Sequence, residues 1–421
     1  SSLSTDALYP FDQPSADTVL RTSDKVTFRV HSHILALASP SFATMMALPQ
    51  PASTENSDAE KAGAAQPVID VSEDAGTLEL LLRLVYPVTK PELGDPMAVF
   101  PALKAGLKYE TDLPVQIFSK HLLALALTQP VLVWAAACRA SLEDVAHQAA
   151  AVLRTSHLAH DPDTTRPEAL EELACLGDMA GISAGDYFRL KQFLRADPQD
   201  GDCGSMSLLR PTKYESVSLP SSPPAPHAAP GPHSSRTFTA DIPSTDVVCK
   251  SSSHGPEDLA TSFAVHQSVL SIHSLVWRMR LAELKCAISG TTGAASPSPN
   301  KVVLELEEGP ELLSRLLSVC YHGTDGLASA SLDMLAKLTL AAKKYEMPLV
   351  IGWIHSAWDR GAASSPLETY FVALNHRLLD YARAAAAKVL ERPAKDWSYV
   401  HAMEAAPALA YHRLLKYCDR C

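Results

Sequence analysis

The chain has 421 residues, of which 47% are hydrophobic and 20% are charged, with a formal net charge of −11. This composition is typical of globular proteins and suffices for roughly two or three domains of ~150 residues. The acidic balance without a basic run argues against nucleic-acid binding, and no apolar run is long enough for a membrane span. The eight cysteines are widely spaced except for the last two, which predicts reduced thiols in an intracellular protein, cytoplasmic or nuclear.

The chain begins with a predicted β-hairpin over residues 17–30, where two apolar runs flank a polar turn. His31 follows the second run and precedes apolar residues at helical spacing, among them Leu35. The further predicted elements of this first copy are a polar loop at 49–67, a strand at 67–72, helices at 75–86 and 98–109, and helical segments at 130–139 and 187–193.

The same order recurs later in the chain, so an internal repeat determines the architecture. Phe28 and His31 match Phe263 and His266, which lie 235 residues further on, and Tyr109 matches Tyr345 at an offset of 236. The predicted elements of the second copy are strands at 246–249, 263–265 and 301–307, a polar loop at 288–300, and helices at 310–321, 331–345, 366–375 and 411–417.

Residues 198–244 separate the two copies and are rich in Ser, Pro, Gly and Ala. Such a segment buries too little apolar surface to offset its ordering entropy, so we expect a disordered linker. The predicted domains are a first unit at 14–120 with a helical extension at 121–197, the linker at 198–244, and a second, diverged unit at 245–356 with its own helical extension at 357–421.

The pattern Phe-x-Val-His-x-x-Ile-Leu, which ends in Val-Leu in the second copy, is followed by an apolar strand, a Leu-rich helix and Ala-x-x-Lys-Tyr109, and it resembles a BTB/POZ domain. The Ala-rich region around Trp134 resembles the helical extension of fungal BTB proteins, and the second copy resembles the family less closely. The resemblance implies an α+β fold in which each unit is a small, three-stranded sheet capped by helices. The positions that carry the motif are Asp17, Phe28, His31, Leu35, Ser39, Phe42, Tyr109, Asp246, Phe263, His266, Leu270, Ser274 and Tyr345.

Possible catalytic and metal sites find little support in the sequence. A general base at His31 or His266 would need a nucleophile and an orienting carboxylate, so both are predicted to be structural. His31-x-His33 is not repeated in the second copy, and Cys418-x-x-Cys421 has no second pair for zinc. We therefore predict no enzymatic activity, no cofactor, no metal and no small-molecule substrate.

The resemblance implies that the chain binds other proteins, including a second copy of itself. The first hypothesis is a non-enzymatic interaction scaffold in which the two units pair as an intramolecular pseudo-dimer. The alternatives are a substrate adaptor of a cullin-RING ubiquitin ligase and a transcriptional co-regulator. In some BTB co-regulators a basic residue follows the histidine and faces the acid matched by Asp17 and Asp246, but Ser32 and Gln267 occupy that position here.

Overall fold

The computed structural model describes residues 5–47, 66–94, 96–158, 179, 181–195, 207–209, 245–251, 261–291 and 301–420. The described residues form a mixed α and β structure, as predicted. They fall into two compact units. The first unit comprises residues 1–216 and 407–412, and the second comprises residues 217–406 and 413–421.

The sheet of the first unit has four strands in the order β1-β3-β2-β4. The predicted hairpin is confirmed: β2 and β3 are antiparallel, with Thr18 opposite Val30. The short β1 adds to the free edge of β3, and β4 runs parallel to β2. The strands are β1 (Thr5–Asp6), β2 (Thr18–Arg21), β3 (Val26–Val30) and β4 (Val68–Asp70).

Helices cover the sheet and continue into an all-helical extension. Alternating burial along β2 and β3 directs Leu20, Phe28 and Val30 into the core, where they meet the apolar faces of the helices. The helices of the first unit are α1 (Ser32–Ala38), α2 (Pro40–Ala47), α3 (Ala75–Val85), α4 (Pro96–Lys108), α5 (Asp112–Leu125), α6 (Pro130–Ala140), α7 (Glu143–Leu158) and α8 (Ala184–Arg195).

The first unit differs from the predicted boundaries at its start. Strand β1 and the buried Phe11 lie before residue 14, and the Phe11 ring packs against Phe28 and Tyr86 at 5.6 and 5.4 Å. The sheet is therefore four-stranded here rather than three-stranded. The pattern around residues 5–11 is too short to predict a strand.

Two further segments also belong to the first unit. Leu208 and Leu209 lie within the predicted linker but are buried, so a disordered linker is wrong for these residues. Apart from Ser207, the rest of 198–244 lies outside the described residues. Residues 407–412, assigned from sequence to the second copy, group with the first unit. There Pro407 pairs with Ser183, and the Ala408 N–H donates to the Ile182 carbonyl at 2.9 Å.

The sheet of the second unit has three strands in the order β6-β5-β7. Strands β5 and β6 are antiparallel, whereas β7 runs parallel to β5, with Val247 facing Val265 on one side and Val302 on the other. The strands are β5 (Val247–Ser251), β6 (Ser262–Val265) and β7 (Val302–Leu306). Each alternates buried and exposed or half-buried positions, as the sequence predicts for a sheet packed on one face.

The helices predicted at 310–321, 331–345, 366–375 and 411–417 occur in that order, and the described residues also form further helices that were not predicted. One of these further helices continues to Thr291 into the predicted loop at 288–300; residues 292–300 lie outside the described ones. The helices are α9 (Gln267–His273), α10 (Leu275–Thr291), α11 (Pro310–His322), α12 (Leu332–Lys344), α13 (Pro348–Ser364), α14 (Pro366–Asn375), α15 (Leu379–Val389) and α16 (Ala408–Arg420), of which residues 408–412 belong to the first unit.

Candidate interaction surface

The two motif histidines lie where a strand is followed by a helix, and each forms a backbone hydrogen bond with a tyrosine hydroxyl. The His31 backbone N–H donates to the Tyr86 hydroxyl at 2.7 Å, and the His266 N–H donates to the Tyr321 hydroxyl at 2.8 Å. In the second unit the same hydroxyl also lies 2.9 Å from His266 Nδ1. These bonds tie the end of the sheet to the end of α3 or α11.

The motif aspartates bind the first turn of the following helix. Asp17 accepts a hydrogen bond from the Ser32 N–H at 2.7 Å, and Asp246 accepts one from the Gln267 N–H at 2.8 Å. A carboxylate at a helix N-terminus is stabilised by the exposed N–H groups. Burial opposes ionisation of Asp17, but the hydrogen bonds from Ser32 outweigh it and lower the pKa of this carboxyl.

The motif serines cap the second helix of each unit. Ser39 Oγ accepts from the Phe42 N–H at 2.9 Å, and Ser274 Oγ accepts from the Trp277 N–H at 3.0 Å, so each serine is an N-cap. Each hydroxyl also donates to the carbonyl of the motif tyrosine, Tyr109 in the first unit and Tyr345 in the second.

A glutamate completes the set of hydrogen bonds that recurs in both units, which we call the frame. Its members are the motif Asp, His, Ser and Tyr residues together with Tyr86, Tyr321, Glu73 and Glu308. In the first unit Glu73 accepts from the Tyr109 hydroxyl at 2.5 Å and from Lys108 at 2.8 Å. In the second unit Glu308 accepts from Tyr345 and Lys344 in the same way. Burial opposes ionisation of Glu73, but the two donors outweigh it and lower its pKa.

The remaining motif residues are apolar and lie in the core. Phe42 stacks on Tyr109 with ring centroids 4.5 Å apart, and Trp277 packs on Tyr345 at 5.0 Å. The other buried members are Phe28, Leu35, Phe263 and Leu270. The sequence reasoning missed Tyr86, Tyr321, Glu73 and Glu308 as members of the frame; their only signal was that each recurs at a fixed offset.

One pair of side chains near His31 resembles the start of a catalytic arrangement. Ser15 Oγ lies 3.1 Å from His31 Nε2. The other ring nitrogen, Nδ1, is buried and has no hydrogen-bond partner among the described residues, so no carboxylate orients the imidazole. A nucleophile and base without an orienting group do not form a triad.

Three buried cysteines are unsuited to thiolate chemistry. Burial raises the pKa of Cys249 and of Cys320 to about 12, and it raises the pKa of Cys138 far above its ordinary value. A thiol must ionise before it attacks or binds a metal. Among the described residues, no group of three or more His, Cys, Asp or Glu side chains is placed to hold a metal ion.

A sharp turn directs the chain out of the frame in both units. Glu110 and Glu346 have left-handed backbone conformations, with φ of 51° and 49°. The Thr111 N–H closes the turn on the Gly106 carbonyl at 2.9 Å, and the second unit makes the equivalent bond at the same distance. Glycine is usual here, and another residue costs roughly 1–2 kcal/mol. The next residues begin α5 and α13.

Large apolar side chains are exposed at equivalent positions beside this turn. In the first unit the exposed fraction is 77% for Leu37 and 54% for Leu113. In the second unit it is 70% for Ile272 and 52% for Leu349, at offsets of 235 and 236. Single exposed apolar residues are ordinary, but exposure that recurs at equivalent positions of both units marks these residues as a candidate contact surface.

In the second unit this region is a groove of about 510 Å³ between the α9–α10 junction and the start of α13. Its apolar lining consists of Ile272, Leu275, Met347, Pro348 and Ile351, and its polar lining is Ser271, His273, Arg278, Lys343 and Glu346. Burial lowers the pKa of His273 against a hydrogen bond with the Cys320 backbone, so the cationic charge comes from Arg278 and Lys343.

The equivalent positions in the first unit carry no such charge. Ala43 stands in place of Arg278, and Leu107 stands in place of Lys343, whereas the glutamate of the turn is kept. The first-unit surface is therefore the more apolar, and the second-unit groove presents cations beside its apolar lining. The two surfaces therefore differ in charge and in apolar character.

The chain matches no protein-family profile, and it matches no curated protein. Among the described residues, no helix is both long enough and apolar enough to cross a membrane.

Proposed function

We propose that the chain is a non-enzymatic protein-interaction scaffold built from two BTB/POZ-like units. The observation that carries the proposal is the exposed apolar pair repeated in both units, Leu37 with Leu113 and Ile272 with Leu349. Support comes also from the duplicated frame, because equivalent bonds fix the turn that precedes Leu113 and Leu349. The proposed ligands are segments of other proteins that bury a large aliphatic residue.

The test is quantitative affinity purification of the tagged chain, followed by mass spectrometry. We expect the double variant Leu37→Asp/Ile272→Asp to lose proteins that the wild type captures. Leu127→Asp is the matched control, since Leu127 is 75% exposed and lies elsewhere on the first unit. If the double variant and the control capture the same proteins as the wild type, the proposed surface is wrong. A cullin among the lost proteins would favour the ligase-adaptor alternative.

The proposed scaffold also includes an intramolecular association of the two copies. One contact within the first unit supports it: Tyr187 and Tyr411, which are equivalent in the repeat, pack ring against ring at 5.6 Å. Ser183 and Pro407, which pair as a β-bridge, are likewise equivalent, at an offset of 224. Contacts between equivalent residues are typical of an isologous dimer interface.

Light scattering at low micromolar concentration tests this part of the proposal. We expect the mass of a single chain, because the association is satisfied within one molecule. A concentration-dependent dimer would contradict it. Tyr411→Ala is expected to expose the Tyr187 ring and to raise the tendency to dimerise, which the same measurement detects.

A further inference from the structure

A short piece of the predicted linker is held in the helical extension of the first unit. Ser207, Leu208 and Leu209 belong to neither helix nor strand, yet both leucine side chains are buried. Within 198–244 they are the one consecutive pair of large aliphatic residues. Burying two leucines contributes roughly 1.5–3 kcal/mol each, which favours a defined position over a free chain.

Charged side chains from α7 and α8 hold the backbone of this segment. Glu143 accepts from two successive N–H groups, that of Leu208 at 2.6 Å and that of Leu209 at 3.0 Å. Arg189 Nε donates to the carbonyl of Leu208 at 3.0 Å. Asp186 holds the same guanidinium at 2.6 Å, which fixes its direction.

These contacts have the form of peptide recognition. The two clamping residues bind main-chain groups of the segment, and charge-assisted bonds of this kind are about twice as strong as neutral ones. The apolar side chains enter the protein while Ser207 Oγ donates back to the Leu209 carbonyl at 2.9 Å. Recognition by main-chain bonds and buried side chains tolerates exchange of one segment for another of the same pattern.

We propose that α7 and α8 form a binding site for a short Ser-Leu-Leu segment, and that residues 207–209 of this chain occupy it. Because residues 196–206 connect the segment directly to α8, rebinding after release is intramolecular and excludes competitors. A partner segment of the same pattern enters only when the internal one is displaced.

The test uses the full chain with the internal segment disabled. In Leu208→Asp/Leu209→Asp, the new carboxylates are repelled by Glu143 and leave the site open. A fluorescent peptide with the sequence of residues 205–211 is the probe, and fluorescence anisotropy measures its binding. We expect the variant to bind at least about tenfold more tightly than the wild type, whose site is occupied. The same peptide with both leucines replaced by aspartate should not bind.

A second variant tests the contact made by Glu143. Glu143→Gln, combined with Leu208→Asp/Leu209→Asp, keeps the size of the side chain but replaces one acceptor oxygen by a donor, so peptide affinity should fall about tenfold. If Leu208→Asp/Leu209→Asp keeps the circular dichroism spectrum of the folded wild type and fails to bind the peptide, the proposal is wrong. If it unfolds, Leu208→Ala/Leu209→Ala replaces it. If that variant also unfolds, the segment is an integral part of the core and the proposal is equally wrong.

Discussion

The frame behind the surface is nearly the same in the two units, whereas the surface itself is not. Asp17, His31 and Tyr86 make the bonds that Asp246, His266 and Tyr321 make, to within 0.1 Å for the backbone bonds. Around the exposed leucines, by contrast, cations in the second unit replace Ala and Leu in the first. Substitution in the frame costs buried bonds and packing, while substitution at the exposed surface leaves those bonds and that packing intact.

The largest effect is expected from a pair of substitutions two residues apart on α1. Leu35 is fully buried and Leu37 is exposed. Leu35→Asp places a charge in the core and should destabilise the first unit by at least about 3–5 kcal/mol. Leu37→Asp should change stability by no more than about 0.5 kcal/mol. Hydrogen exchange of β2 measures the first unit, and exchange of β5 gives the unaffected reference. Equal losses of stability in the two variants would contradict the assignment of Leu35 to the buried face of α1 and of Leu37 to the exposed face.

The tyrosine hydroxyls allow a finer comparison of the two frames. Tyr321→Phe removes a hydroxyl that accepts from the His266 N–H and also hydrogen-bonds His266 Nδ1, whereas Tyr86→Phe removes the acceptor of the His31 N–H. We expect the unfolding free energy of the second unit to fall by about 1–3 kcal/mol in Tyr321→Phe, and that of the first unit to fall by about 0.5–1.5 kcal/mol in Tyr86→Phe. Unit-resolved hydrogen exchange measures both. A larger loss of unfolding free energy for Tyr86→Phe would show that the bond between the Tyr321 hydroxyl and His266 Nδ1 adds no stability.

His31→Ala addresses whether the histidine is structural. The backbone N–H that binds Tyr86 remains, but the imidazole is lost from a partly buried position. We expect a loss of roughly 1 kcal/mol in the first unit with no change in captured proteins. Loss of a reaction catalysed by the intact fold would contradict the structural interpretation.

The lowered pKa values of Asp17 and Glu73 predict acid sensitivity of the first unit. Both carboxyls are more acidic in the folded state than their ordinary values of 3.8 and 4.5. Their contribution is therefore present above those values and is lost as the pH falls through the lower, folded pKa. In Glu73→Gln the unfolding free energy should vary less with pH in this range. An unchanged pH dependence would mean that Glu73 is not the group that titrates.

The sequence predicted much of the frame because the repeat supplied two instances of each position. Ser39 and Ser274 were among the motif positions because the serine recurs at an offset of 235 in the two copies. Glu73 and Tyr86 were missed, because their partners lie 36 and 55 residues away and local patterns do not encode such contacts. Leu208 and Leu209 were missed because the composition around them is that of a linker.

The candidate surface was not predicted at all. Leu37 and Leu113 lie among apolar residues of helices, and the pattern alone does not distinguish an exposed position from a buried one at the edge of a helix face. The groove of the second unit also depends on the approach of α9 and α13, which are more than 70 residues apart in the chain.

A smaller effect on binding is expected from the charges of the second unit. Lys343→Glu reverses one of the two cations of the groove and should leave stability unchanged within about 0.5 kcal/mol. We expect it to slow association of the second-unit partners and to reduce the salt dependence of binding. Binding that is insensitive to salt in both the wild type and Lys343→Glu would indicate an apolar partner.

The most direct test compares the single variants Leu37→Asp and Ile272→Asp in parallel affinity purifications, each with hydrogen exchange to establish that its unit is folded. If the two units share a frame and differ in surface, each variant loses its own set of proteins and keeps the set that the other loses. If neither variant loses any captured protein, or if both lose the same set, the two surfaces are not separate binding sites and the account is contradicted.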